Sequence, residues 1–389
     1  METLIPADNH FAVMAGLFVI AAIGFLAEKS RIGAILTGAV VAIFLAIFAA
    51  NLRIIPQSAP AYSFVFTYFV PVLIPLFLMK ADLKKIFFET GRMTLAFGVA
   101  ALGTVLGAIA AVSLLDFGAD EAGIAGVFTA TYIGGSVNYA ALLDITGLRA
   151  DAAFVLAATA VDNLASGLFL ALLAILPGWR WLATRFPARD HTKGEIEAGE
   201  NGKATAATLT ITIAFALTIV ALGDLLTGAL AGLLSGMGVE DAARQAGNWR
   251  YAVITVLTLI PATLMPKTMA RLHGGYELGI GLAFVFFAAI AAGADIPSLI
   301  QQAPLLMALV AILLGVHLIV LFGLGSLLRL SVPELITASN AAILGATTAP
   351  ALAAAKGWKD LVTPGVLVGV FGYALGTLIA TAVYQFWPG

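Results

Sequence analysis

The chain alternates long apolar blocks with short polar interruptions. A helix needs about 20 apolar residues to cross a hydrocarbon layer roughly 30 Å thick. Segments 11–27, 32–50, 61–79, 93–115, 124–143, 152–176, 206–238, 250–266, 277–293, 303–328, 335–355 and 361–386 meet that requirement. They occupy most of the sequence and leave no room for a domain outside the membrane. Trp179, Trp181, Trp249, Trp358 and Trp387 fall at or just beyond the ends of these segments, where amphipathic rings settle at the membrane–water boundary. The longest polar stretch, 178–205, reads as a solvated linker between a first membrane repeat (1–177) and a second (206–389).

Composition sharpens the picture. Charged residues make up 11% of the chain and apolar ones 61%, against roughly 25% charged in a soluble domain. The mean hydropathy is +1.02. A soluble enzyme is thereby excluded, and a net charge of −2 without a basic cluster argues against a nucleic-acid partner. With no Cys there is no thiolate site. Glu2 and Asp8 make the N-terminus acidic, unlike the basic start of a removable signal. The abundance of Ala and Gly points to a multi-pass protein of a bacterial cytoplasmic (inner) membrane. No phosphate-binding loop, HExxH pair or Ser/His pairing is present, so neither an enzyme nor a cofactor is expected.

The two halves echo each other. Lys80-Ala81-Asp82-Leu83 matches Ala294-Asp295-Ile296, and Tyr132-Ile133-Gly134-Gly135 with Ala140-Ala141-Leu142 matches Ala342-Ile343-Leu344-Gly345 with Pro350-Ala351-Leu352. Gly147-Leu148-Arg149 matches Gly357-Trp358-Lys359. A nearly constant offset indicates a duplicated unit, the usual build of secondary transporters. Orientation hinges on 206–238: one crossing makes the copies parallel, and two, broken near Gly223-Asp224, make them inverted. Loop 80–92, with Lys80, Lys84, Lys85 and Arg92, must be cytoplasmic, and loop 116–123, with Asp116, Asp120 and Glu121, external. Summed over the chain, the positive-inside rule favours neither topology.

Candidate chemistry lies in two clusters. The first is Thr129 to Asn138, where Gly134 and Gly135 sit mid-segment among Thr131, Ser136 and Asn138. Adjacent Gly are poor helix formers, and irregular backbone at that depth survives only inside protein or beside a wet cavity. The counterpart, Ser339-Asn340 to Thr347-Thr348-Ala349-Pro350, also places polar residues around a Gly. Two interrupted segments at corresponding positions point to a transporter's binding site; close packing of small residues is the other reading. The second cluster is Thr159, Asp162, Asn163 and Ser166, spaced to share one helix face. An Asp at mid-membrane costs roughly 2.5–3.5 kcal/mol unless it is paired, protonated or solvated. With no Lys or Arg at that depth, a cation or a proton is its natural partner. His317 reads as a hydrogen-bonded packing residue, Asp224 as a turn or helix end, Glu334 as a helix N-terminal carboxylate, and Pro71 and Pro75 as kinks.

The run Thr131-Tyr132-Ile133-Gly134-Gly135-Ser136-Val137-Asn138, the pair Asp162-Asn163, and Ala338-Ser339-Asn340 with Gly345-Ala346-Thr347-Thr348 resemble the YjcL-like family of uncharacterised integral membrane proteins. The second motif departs from the family pattern in having Leu344-Gly345 where a Gly pair is usual. The resemblance implies kinship with the bile acid:sodium symporter and cation:proton antiporter superfamily. It therefore implies two inverted repeats whose discontinuous helices, 124–143 and 335–355, cross at mid-membrane, with 206–238 entering and returning. It also implies a core domain moving against a second domain.

Taken together, the expectation is an all-α polytopic protein with two structural repeats and discontinuous crossing helices. Its expected function is ion-coupled transport, with sodium-driven symport of a small solute ahead of cation:proton antiport through Asp162 and of a non-transporting scaffold. The ion and solute site is expected to draw on Thr131, Gly134, Gly135, Ser136, Asn138, Thr159, Asp162, Asn163, Ser166, Ser339, Asn340, Thr347 and Thr348. Asp162 and Asn163 are the candidate Na+ ligands, since only oxygen donors are on offer. Expected partners are the bilayer, a monovalent cation, a small-molecule solute and, as an open option, a second copy of the chain.

Overall fold

The structure, a computed structural model, describes residues 3–28, 38–192, 203–239, 241–293 and 296–387. Ala294 and Asp295 of the repeat echo and residues 193–202 of the linker lie outside the described residues. What is described is helical throughout. Seven helices are long and apolar enough to cross a membrane, and three shorter apolar ones run beside them. In chain order they are α1 (His10–Glu28), α2 (Gly38–Asn51), α3 (Pro60–Leu78), α4 (Gly91–Leu114), α5 (Ala152–Ile175), α6 (Ala206–Gly236), α7 (Arg250–Leu264), α8 (Gly275–Ala291), α9 (Ile296–Leu327) and α10 (Val362–Gln385). α3 carries a π-helical turn, Val65–Phe69, just before Pro71, so the irregularity expected from its prolines falls one turn early.

The two Gly-containing segments break as the sequence predicts, but they do not cross. In Glu121–Thr146 the helix is interrupted at Gly135. A Cβ on Gly123 would lie 3.0 Å from the Leu148 side chain and 3.4 Å from that of Thr146, and one on Gly126 would lie 3.5 Å from Leu142. At 1.5 Å per residue an unbroken rod would hold Gly123 and Thr146 roughly 34 Å apart. The chain therefore enters, turns at Gly135 and returns to the end it came from. The second segment, Val332–Ile343 followed by Thr348–Ala355, does the same. Its two ends meet on one side chain: His191 bonds Ser331 through Nε2 at 2.8 Å and Asp360 through Nδ1 at 2.9 Å. These are hairpins rather than the crossing pair implied by the resemblance. The segment 206–238 is a single helix, and Asp224 sits within it, paired to Arg250 at 2.6 Å rather than marking a turn.

This geometry resolves the parity question. Each half runs through three spans, a fourth, a hairpin and a fifth, and because each hairpin returns, α6 starts at the end opposite to α1. The first hairpin opens to the end that holds the α1 N-terminus, and the second opens to the other. Thirteen of the described Lys and Arg gather at the second hairpin's end; only Arg53, Arg149, Arg244 and Arg250 lie at the first's. These are called the basic and the acidic end below.

Packing divides the helices into two bodies. α4, α5, α9, α10 and both hairpins pack on one another, while α1–α3 and α6–α8 form the other group. Small residues allow the closest approaches. A Cβ on Gly103 of α4 would meet the His317 carbonyl at 3.0 Å, and one on Gly107 would collide with Leu313 of α9. The outer faces stay apolar, as Ile211, Leu217, Leu225 and Leu233 along α6 show, which suits lipid.

Candidate functional site

Both hairpin tips rest on glycine. Gly135 has φ 69 and ψ −161, a region open in practice only to Gly. Gly345, at φ 97, turns the second tip. That tip is tied across itself: Thr348 Oγ1 donates to Asn340 Oδ1 at 2.6 Å, and Asn340 Nδ2 donates to the Thr348 carbonyl at 3.4 Å. Each tip brings together the C-terminus of one half-helix and the N-terminus of the next, so partial charges of both signs meet at mid-depth.

Between the two bodies lies a cavity of about 360 Å³. From one body come Thr131, Gly135, Ser136, Thr159, Asp162, Asn163, Gly345, Thr347 and Tyr373; from the other, Ala39, Phe77, Tyr276, Phe284 and Phe287. Both tips and the α5 face expected from the sequence therefore converge on one space. Among the described residues, Asp162 is the sole charged one in the lining. Ser166 donates to its Oδ1 at 3.4 Å, and the buried Tyr132 hydroxyl lies beside the carboxylate.

The threonine hydroxyls that share this lining with Asp162 turn their protons back to their own helices. Thr131 Oγ1 donates to the Val127 carbonyl at 2.9 Å and Thr159 Oγ1 to the Val155 carbonyl at 2.7 Å. Asn163 Nδ2 donates to the Thr159 carbonyl at 2.8 Å. A hydroxyl whose single proton goes back to its own helix offers its remaining lone pairs outward. Ser136 and Thr347 are exposed on opposite tips of the same cavity.

Other predicted residues lie nearby but face elsewhere. Asn138 is fully buried against α10, donating to the Gly372 carbonyl at 3.2 Å and accepting from Thr377 at 2.9 Å. Gly134 lets that contact form, since a Cβ there would collide with Asn138 and the Gly372 carbonyl. Ser339 is bonded to His317 Nε2 at 2.8 Å, while His317 Nδ1 meets Thr104 at 3.1 Å, which fits the packing role expected of that histidine. Asn340 and Thr348 close their own tip. So Gly134 and Asn138 follow the small-residue packing reading, and Gly135 and Ser136 follow the cavity reading.

The full length of the chain is shared with known proteins. Residues 15–387 match the family described as "Protein of unknown function (DUF819)". The chain is also 31% identical, over 392 residues covering 98% of both sequences, to the "Uncharacterized membrane protein YjcL" of Bacillus subtilis (strain 168). The chain belongs to the DUF819 family. It is a membrane protein built of helices, and that relative is named a membrane protein.

In this DUF819 member the aromatic wall is what sequence reading overlooked. Tyr373 of α10 reaches both tips: a Cβ on Gly135 would lie 3.8 Å from its ring and one on Gly345 3.7 Å from its hydroxyl. Phe77 stacks edge-on with Tyr373 at 5.9 Å and with Tyr276 at 5.2 Å. An aromatic residue within an apolar helix carries no spacing signal. Only the partner helix reveals which face it presents.

Proposed function

We propose that this DUF819 protein is an ion-coupled secondary transporter, a sodium-driven symporter of a small solute working by alternating access. The observation that carries the reading is the convergence of two hairpin tips, entering from opposite ends, on one cavity that holds a single carboxylate. Broken helices with free ends at mid-depth supply a cation with oxygens and dipoles that a lipid-facing helix cannot. Among the described residues no three His, Cys, Asp or Glu converge, so the charge on offer suits a monovalent ion. Oxygen-only donors favour Na+ over a soft metal. The site lies between two bodies that pack separately, as a change of access between the two ends requires. The reading makes the chain a carrier rather than an enzyme, needing no cofactor. The Lys and Arg bias supports a reading in which the basic end faces the cytoplasm across a bacterial inner membrane.

Purified protein in proteoliposomes tests this. An imposed sodium gradient should drive solute uptake, and Asp162→Asn should abolish it; uptake indifferent to both would remove the proposal. Cation:proton antiport is the second reading, because Asp162 alone could carry both ions in turn. Antiport predicts that Na+ protection against unfolding weakens steeply as pH falls and protons compete for the carboxylate. Symport through an ionised Asp162 predicts little change between about pH 6 and 8.

A further inference from the structure

The cavity is not symmetric between the two ends. Its lining includes Ala39, Phe77 and Tyr276, all in the turns of α2, α3 and α8 nearest the basic end. Toward the acidic end the lining stops short of the last turns of α8 and of the first hairpin's second leg. Just beyond that limit the two bodies are joined by side chains. Tyr251 of α7 donates its hydroxyl to Asp144 at the root of the first hairpin, and Arg149 pairs with the other oxygen of the same carboxylate. The Arg149 guanidinium also lies over the Phe66 ring of α3, 5.4 Å from its centre. The partners across the seam are themselves anchored. Tyr251 is 2% exposed, and Arg250 beside it stacks on its ring and pairs with Asp224 of α6 at 2.6 Å and 3.1 Å.

The second hairpin's root is held differently. Glu334 binds Arg92 of α4 at 2.7 Å and caps its own helix through Ser331, and the linker supplies Arg189 at 4.0 Å and His191. These contacts stay within one body and its linker. A hydrogen bond to a charged group at the root of one hairpin thus bridges the two bodies at the end that the cavity lining does not reach.

We infer that Asp144, Tyr251 and Arg149 form the gate that shuts the cavity at the acidic end, so that this structure is the state facing the basic end. The inference rests on the alternating-access reading above. For the acidic end to open, the Tyr251–Asp144 bond must part and Arg149 must leave Phe66. Residues of this gate need not touch ion or solute; they set which face is populated. Removing a hydrogen bond to a charged group should shift that population by about tenfold or more.

The chain has no Cys, which permits a direct test. Ser136→Cys places one thiol in the cavity, and a membrane-impermeant maleimide is applied to inside-out and right-side-out vesicles. The single substitution should label from the basic end. Adding Tyr251→Phe should raise labelling from the acidic end by about tenfold. Asp144→Asn, at a partly exposed carboxylate, should do the same and keeps the test available should the buried Tyr251 variant fail to fold. Unchanged acidic-end labelling in a variant that still labels from the basic end overturns the gate. The two readings fail separately: flux with unchanged labelling removes the gate alone, and a labelling switch without flux removes solute transport while the gate stands.

Discussion

The two hairpins share a place in their halves and differ in how they are held. The first turns on one residue, Gly135, and its second leg is fastened sideways to α10 through Asn138. The second turns over several residues and is fastened to itself through Asn340 and Thr348. Their roots differ as well: the first is tied across the seam to Tyr251, the second to Arg92 within its own body. One architecture, entered from opposite ends, thus presents a tip braced by its neighbour and a tip braced internally. The difference teaches that two halves with the same element order can each recruit their own polar side chains. Asn138, just after the first tip, and Asn340, just before the second, then do different jobs.

The largest effect should come where the first hairpin meets α10. Gly134→Val drives a side chain into Asn138 and the Gly372 carbonyl, and overpacking of this kind should cost about 3 kcal/mol, read as a lowered melting temperature in detergent. Next, Asn138→Ala removes the bonds to Thr377 and to the Gly372 carbonyl in a buried setting, a cost of about 2 kcal/mol. Asn340→Ala should cost less, because Thr348 keeps the Gly345 carbonyl within 3.3 Å. Equal losses from the two substitutions would dissolve the distinction between the tips. Ser331→Ala removes the capping-box acceptor at the start of the second hairpin and should cost about 1 kcal/mol by the same measurement. Smallest in stability, Thr347→Ala should shift folding by less than about 0.5 kcal/mol, since the side chain is exposed in the cavity. It should nonetheless weaken cation protection, which a stability change alone would not.

Much of this was legible in advance. Apolar block length located α1 to α10, because burying about 20 apolar residues in lipid leaves the pattern little freedom. The interruption at Gly134-Gly135 was legible from composition, and the Asp162 face from its spacing. What length could not show was that 124–143 and 335–355 turn back. A 20-residue apolar segment has the same hydropathy whether it crosses or returns, so counting both as crossings swaps the end of the loops between them and cancels the positive-inside signal. Once both are folded back, the Lys and Arg separate clearly by end. The long segment 206–238 then needs no second crossing, and Asp224 within it is explained by Arg250. Asn138, Ser339, Asn340 and Thr348 were singled out for polarity at depth, a property that buried packing contacts share with a binding site. Tyr251, Tyr276 and Tyr373 stayed hidden because their partners lie far away in sequence.

The central claim is that Asp162, framed by the two tips, holds a monovalent cation. A ligand that binds only the folded state raises apparent stability by mass action, by about 2.7 kcal/mol at 100 times its Kd. The deciding measurement is thermal unfolding of purified protein in Na+, K+ and Li+ at constant ionic strength, with Asp162→Asn run alongside. The account predicts that Na+ raises the melting temperature of the unaltered chain and leaves the Asp162→Asn chain unmoved. Equal melting temperatures in all three ions, or Na+ protection that survives in Asp162→Asn, would contradict it.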